Sequence, residues 1–295
     1  MPAIIGTVPD QNFPLVHGFV KLSGNNLLIG NHMIPVNRGT PASLAAAIKA
    51  SKALGGPEIY AFLTGDIGRG NGSRNLYEFL TNHIQEFSFD IITFHYLHPI
   101  LHWHNRLLPA FESMKPRPLL IADAGFMYVA KMSGQAFRYD VFTPDIGELA
   151  FLADEMAPHP FYTRGFIMHQ EANAPELINR AYTGKNSAKA LLVKGAKDYI
   201  VSKNKIIATV DNPSFEAMEA IGGTGDSLTG LLTLLCAMGY DTVNAAILAA
   251  QTNRWTGYFA NPNPASQIIE LIEEIPRALL HVLNNYQTEK TNVRN

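Results

Sequence analysis

The chain has 295 residues, 47% of them hydrophobic and 16% charged, with a formal net charge of −2. That length favours one large domain with a sizeable core, and a nearly balanced charge with no long run of one sign argues against a binder of nucleic acid or of an acidic membrane surface. A single cysteine, Cys236, rules out a disulfide framework within the chain. No stretch is long and apolar enough to span a bilayer. Met1–Gly6 has no basic region ahead of an apolar one, so a soluble, cytoplasmic protein without a signal peptide is expected.

Residues 1–38 read as a short β region. Asn25-Asn26 lies between Phe19–Leu22 and Leu27–Ile29 and predicts a hairpin. Thr40-Pro41 is a helix start, with Thr40 as N-cap and Pro41 at the first helical position, and the alanine-rich helix stops at Gly55-Gly56. Strands and helices then alternate. Ile59–Leu63 is a strand, followed by the glycine-rich loop Gly65–Gly72 and a helix capped by Ser73. Asp90–Phe94 is a strand, Leu101–Met114 a helix, and Pro118–Ala122 a strand ending at Asp123. Tyr139–Phe142 is a strand ending at Thr143-Pro144-Asp145, and a helix bearing Glu148 follows. Glu176–Thr183 is a helix, Ala190–Val193 a strand ending at Lys194-Gly195, and Tyr199–Val201 pairs with Ile206–Val210 across Lys203-Asn204. Three helices close the chain, at roughly 226–238, 242–259 and 266–283, with Pro276 kinking or breaking the last. The polar tail 284–295 is expected to fray. This alternation predicts a three-layer α/β fold, a mainly parallel central sheet with helices on both faces. We read 1–295 as a single domain, with 1–38 as a β-rich N-terminal extension of it.

In such sheets ligands bind beyond the carboxyl ends of the strands. Asp66, Asp123, Asp145, Glu148, Lys194 and Asp226 all fall there. The stretch Ile221–Gly230 carries the most chemistry. A glycine-rich turn running into a helix exposes backbone N–H groups at the positive end of the helix dipole, which makes an anion site suited to phosphate. Asp226 sits where an incoming hydroxyl would meet that phosphate, as base or positioner. A plain turn before a new helix is the alternative, against which stands the lack of an evident packing reason for the opening glycines and Asp226. Asp123 either lines the cleft or caps the next helix. Glu148, in a first helical turn where the dipole already favours an acid, could hold a hydrated Mg²⁺. Lys194 could reach a phosphate as a point charge, or be a solvated loop lysine. His95, His98, His102 and His104 fall within ten residues, but a strand end, a proline and a helix start separate their faces. They are expected to line the cleft or donate to backbone carbonyls, not to bind a transition metal. The Gly65–Gly72 loop lacks the terminal Lys-Ser/Thr of a P-loop.

Together these residues resemble the ribokinase-like superfamily, over roughly Gly39 to Tyr258. Three segments look most like the ADP-dependent NAD(P)H-hydrate dehydratases: Thr143-Pro144-Asp145-Ile146-Gly147-Glu148, Leu192-Val193-Lys194-Gly195-Ala196, and Gly223-Thr224-Gly225-Asp226-Ser227-Leu228-Thr229-Gly230. There are departures. Asp145 stands where that family has His and Ile146 where it has a second Pro. His95-Tyr96-Leu97-His98-Pro99 replaces its Gly-Pro-Gly turn. The resemblance implies ADP or ATP and Mg²⁺ as cofactors and phosphorylation of a hydroxyl followed by phosphate elimination. It also implies a small-molecule substrate, with hydrated NADH or NADPH a candidate, and a homo-oligomer. By position it implies a catalytic Asp226 and a nucleotide site of Lys194, Gly195, Gly222, Gly223, Thr224, Gly225 and Asn253. It implies substrate contacts from Gly39, Asp66, Asp123 and Asp145, and a metal ligand in Glu148. A sugar or vitamin-precursor kinase and a catalytically silent nucleotide-binding protein are the rival expectations.

Overall fold

Strand Pro2–Val8 (β1) is buried along its whole length, as a strand covered on both faces must be. Its side chains alternate between two cores: Ile4 faces one apolar cluster while Ala3 and Ile5 face the other. A computed structural model describes residues 1–164 and 173–292. In it β1 is a central strand, paired in parallel with Tyr60–Gly65 (β5) on one side and Ile91–His95 (β6) on the other. The reading of residues 1–38 as an extension is therefore corrected for β1, which nothing in its own sequence marks as central.

Beyond β6 the sheet continues in parallel through Leu119–Ala122 (β7), Val141–Phe142 (β8) and Ala190–Val193 (β9). Antiparallel strands Asp198–Ser202 (β10) and Lys205–Val210 (β11) finish that edge. The other edge is the meander Val16–Ser23 (β2), Asn26–Ile29 (β3) and His32–Pro35 (β4). The spatial order is β11-β10-β9-β8-β7-β6-β1-β5-β2-β3-β4. Both expected hairpins form. Positive φ at Lys203 and Asn204 supplies the tight turn of the second.

Helices cover both faces. Thr40–Leu54 (α1), Thr224–Ala237 (α8), Thr242–Ala260 (α9), Ile268–Glu273 (α10) and Ile275–Asn292 (α11) contribute to one core. Asn71–His83 (α2), Leu101–Glu112 (α3), Gly125–Met132 (α4), Ile146–Ala153 (α5) and Ala174–Thr183 (α6) contribute to the other. A short helix, Ala217–Ala220 (α7), precedes the glycine turn. α1 and α8 cross closely: a Cβ on Gly230 would stand 2.1 Å from the Ser43 carbonyl oxygen.

Local structure departs from the sequence expectation in four places. Gly39, at φ 69°, is the N-cap of α1, and Thr40 is the first helical residue. α2 is capped by Gly70, and Ser73 lies inside the helix. α4 was not anticipated, because Gly125–Met132 follows a strand with no polar cap. As expected, the last helix breaks at Pro276, which falls in the first turn of α11. The tail expected to fray from Asn284 is helical to Asn292, and 293–295 lie outside the described residues.

Candidate active site

The parallel strands carry their chemistry at their carboxyl ends. Pairing of Phe94 with Ala122 in β6 and β7 brings the next residues, His95 and Asp123, side by side. α8 runs over the same edge and presents Asp226 from its first turn. His95 Nε2 lies 3.1 Å from Asp226 Oδ1 and 3.4 Å from Asp123 Oδ2, between the two and in line with neither. Its Nδ1 lies 3.1 Å from the Thr40 hydroxyl. The other oxygen of Asp226 accepts the Gly39 N–H at 2.6 Å.

Asp123 is the buried centre of this cluster. Lys194, at the end of β9, places Nζ 2.9 Å from Oδ1 and 3.1 Å from Oδ2. The Ala124 N–H donates to Oδ1 and the Thr229 hydroxyl to Oδ2, at 2.8 and 2.6 Å. Burial would raise the Asp123 carboxyl, but Lys194 and His95 hold it well below the carboxylate range. Burial would likewise lower Lys194, yet Asp123 and Glu148 keep it charged. For His95, too, burial favours the neutral ring. Close approach of the Asp123 and Asp226 carboxylates wins and pushes it up to about 9. Two cations and two anions therefore interlock at neutral pH. His95, Asp123 and Asp226 have donor atoms close enough to share a metal ion, but an ammonium seated on Asp123 disfavours a second cation there.

The glycine turn leaves its N–H groups open. α8 starts at Gly223 with no side-chain cap, so no side chain at the cap position fills the orphan donors of its first turn. Gly223 does have a packing reason, contrary to the sequence reading: φ is 110°, and a Cβ would press to 2.8 Å from Ile268 Cγ1. Gly225 has no positive φ, and a Cβ there would meet Lys194 Cδ at 3.4 Å. The Thr224 hydroxyl points back to the Met218 and Ile221 carbonyls. Exposed Gly222 adjoins Arg38, whose Cδ would lie 3.4 Å from an added Cβ.

The structure thus brings together Gly39, Asp123, Lys194, Gly225 and Asp226. Other expected residues are engaged elsewhere. Asp66 accepts from the N–H groups of Gly68, Gly70 and Ser73 and from the Ser73 hydroxyl, at 2.8 to 3.0 Å. Burial opposes these bonds, but together they lower its carboxyl. In the structure Asp66 therefore closes its own loop. Asp145 is the N-cap of α5, and Glu148 returns a bond to the Asp145 N–H in a reciprocal capping box. Asp145, expected as a substrate contact, is in the structure an exposed cap. Glu148 keeps part of its surface open, yet burial, Asp123 and Asp145 outweigh Lys194 and push its carboxyl up to about 8. Gly195 donates to Asp198, and its carbonyl accepts from Arg254, which also grips the Ala196 carbonyl and Asp198. Asn253 is half-buried on α9, one residue before Arg254.

Thr229, whose hydroxyl donates to Asp123, was missed; His95 was expected only as one of four histidines at the cleft, and Arg254, which ties down the Gly195 loop, was not singled out. Thr229 had a signal, since three residues after Asp226 is the same helical face. Of the other histidines, His104 is buried with Nε2 2.7 Å from the Tyr139 hydroxyl, and burial pushes it down to about 4.

The mainly parallel sheet with helices on both faces and a glycine-to-helix turn at its carboxyl edge is a three-layer α/β fold of the ribokinase-like kind. The fold agrees with that of the Bacillus subtilis ADP/ATP-dependent NAD(P)H-hydrate dehydratase co-crystallized with ATP/Mg²⁺. The TM-score is 0.54 at 12% identity, over 97% of this chain and 89% of that one. It also agrees with Staphylococcus aureus pyridoxal kinase in complex with pyridoxal, at a TM-score of 0.51 and 11% identity, over 85% and 86% of the two chains. Residues 103–277 match the carbohydrate-kinase family described as NAD(P)H-hydrate dehydratase, and the chain belongs to that family. An uncharacterized Methanocaldococcus jannaschii protein, MJ1337, is 39% identical over 241 residues, 81% of this chain and 99% of its own length. No helix among the described residues is long and apolar enough to cross a membrane.

Proposed function

We propose that this chain is an ADP- or ATP-dependent enzyme that phosphorylates the hydroxyl of hydrated NADH or NADPH and then eliminates phosphate. The observation that carries the reading is the uncapped start of α8, with its free N–H groups and the Asp226 carboxylate in the same helical turn. The acceptor oxygen attacks the terminal phosphorus, the bond from that phosphorus to the nucleotide breaks, and Asp226 orients the hydroxyl and takes its proton. The N–H groups of Gly223 to Asp226 stabilise charge on the moving phosphoryl group. In the second step the acceptor C–O bond breaks, phosphate leaves, and loss of a neighbouring proton restores the ring. Lys194 neutralises Asp123 and borders the phosphate side of the turn. Glu148 fits a magnesium ligand: it is a hard oxygen donor whose carboxyl is raised by burial and by the neighbouring Asp123 and Asp145 charges, which a cation would offset. Mg²⁺ held there would neutralise the nucleotide's phosphates.

The test is to incubate purified protein with hydrated NADH, Mg²⁺ and ADP or ATP. Return of NADH absorbance with release of inorganic phosphate is expected. No return with either nucleotide overturns the acceptor assignment. One observation favours a second reading, a kinase for another small alcohol. Tyr96, half-exposed at φ 56°, occupies the turn where the dehydratases carry Gly-Pro-Gly. An aromatic side chain there narrows the acceptor side. In that case a stable phosphorylated acceptor accumulates instead of phosphate.

A further inference from the structure

We propose that His95 is the positioning residue for Asp226, its Nε2–H steering the carboxylate that meets the acceptor hydroxyl. The inference rests on the phosphoryl-transfer reading above. His95 is fully buried, so it touches no substrate and acts only through its neighbours. Each ring nitrogen has a defined surrounding. Nδ1 meets the Thr40 hydroxyl from α1, one residue after the Gly39 N–H that holds the second oxygen of Asp226. Nε2 faces Asp226 from α8 at 3.1 Å and Asp123 from the end of β7 at 3.4 Å. Lys194 from β9 reaches the same Asp123, and the Tyr96 ring lies 4.7 Å from the imidazole. Among the described residues Nε2 has no aligned hydrogen-bond acceptor. A buried N–H without one is costly. The Asp226 carboxylate oxygen 3.1 Å away is the nearest group able to meet it, while the Gly39 N–H holds the other oxygen.

The arrangement has a chemical consequence. The imidazole ring on one side and the Gly39 N–H on the other hold the Asp226 carboxylate in a fixed orientation. A loose phosphoryl-transfer transition state needs little more, because the acceptor gives up its proton late. The buried ring also ties Asp226 to the Asp123–Lys194 pair, so α1, α8 and three strand ends share one charge network.

Two measurements test this. First, His95→Gln keeps a side-chain N–H but loses the charge and the rigid ring. In the assay with hydrated NADH and ATP, kcat is expected to fall about 10- to 100-fold, the worth of one charge-assisted hydrogen bond. KM for ATP should be unchanged, and His95→Leu should lose more than His95→Gln. Unchanged kcat in a folded His95→Gln protein overturns the proposal. The second measurement needs neither turnover nor a variant. In ¹⁵N-histidine-labelled wild type at pH 7.5, the His95 Nε2 should report a bonded proton. An Nε2 with a free lone pair overturns the proposal, even if hydrated NADH proves not to be the acceptor. Failure of the phosphoryl-transfer reading instead leaves the nitrogen protonated and the assay silent with every nucleotide.

Discussion

α5 and α8 both start at the carboxyl edge of the sheet with an acid in the first turn, and they use it in opposite ways. At α5, Asp145 caps the helix and Glu148 bonds back to it, so the first-turn donors are satisfied from within. At α8, Gly223 holds the cap position without a side chain, and Asp226 turns away from its own helix to Gly39 and His95. A helix N-terminus binds an external anion only while its donors are unfilled. Between these two helices, the difference between a start filled by its own side chains and one left without a side-chain cap is the difference between Asp and Gly at the cap position.

The sharpest way to break this comparison is Asp226→Asn. The amide keeps a hydrogen-bonding group but accepts no proton at neutral pH. Turnover should fall roughly 10²- to 10⁴-fold, while calorimetry shows nucleotide affinity retained. Full activity would reduce α8 to a binding element.

Lys194→Met tests the network beneath it. Methionine fills much of the space but leaves Asp123 buried with one cation fewer. A loss of about 3 kcal/mol in urea unfolding is expected, with an unchanged slope. Adding Asp123→Asn should recover part of it, and a simple sum of the two losses would show that the pair is not coupled.

Glycine substitutions separate backbone from contact. Gly223→Ala forces a methyl into a positive-φ position against Ile268 and should cost about 1–3 kcal/mol as well as nucleotide affinity. Gly225→Ala meets only ordinary contact with Lys194, so its stability should hold while nucleotide binding weakens. Equal melting temperatures for the two variants would contradict the assigned geometry.

The smallest effects belong to α5. Asp145→Ala should cost about 1 kcal/mol through the lost cap and leave nucleotide affinity unchanged. Glu148→Gln keeps a capping-box side chain but no titration. The Glu148 carboxyl is raised to about 8 in the folded chain, above its unfolded value. Its charge therefore destabilises increasingly as pH rises from about 4.5 to about 8, and is without effect below. Denaturation without Mg²⁺ should show Glu148→Gln matching wild type at pH 4 and exceeding it at pH 9.

How far the site could be read from the sequence differed residue by residue. Asp123, Lys194 and Asp226 each end a strand or open a helix, so local pattern alone placed them at the carboxyl edge. Asp66 and Asp145 gave the same signal, yet their oxygens close local turns. A loop's own N–H groups compete for a carboxylate, and spacing does not say which partner wins. His95 stood among four similar histidines, and only one of them reached the cluster.

Apolar periodicity, glycine turns and proline breaks are properties of near neighbours, and they determined the alternation of strands and helices and the glycine turn before α8. Strand order was not local. Pairing β1 with β5 and β6 needs contacts tens of residues apart, and its sequence alone reads equally well as an edge. The meeting of His95, Asp123, Lys194 and Asp226 was likewise decided by tertiary structure alone. Each charge is tolerable in burial only because the others arrive from separate elements, and that compensation exists nowhere in the unfolded chain.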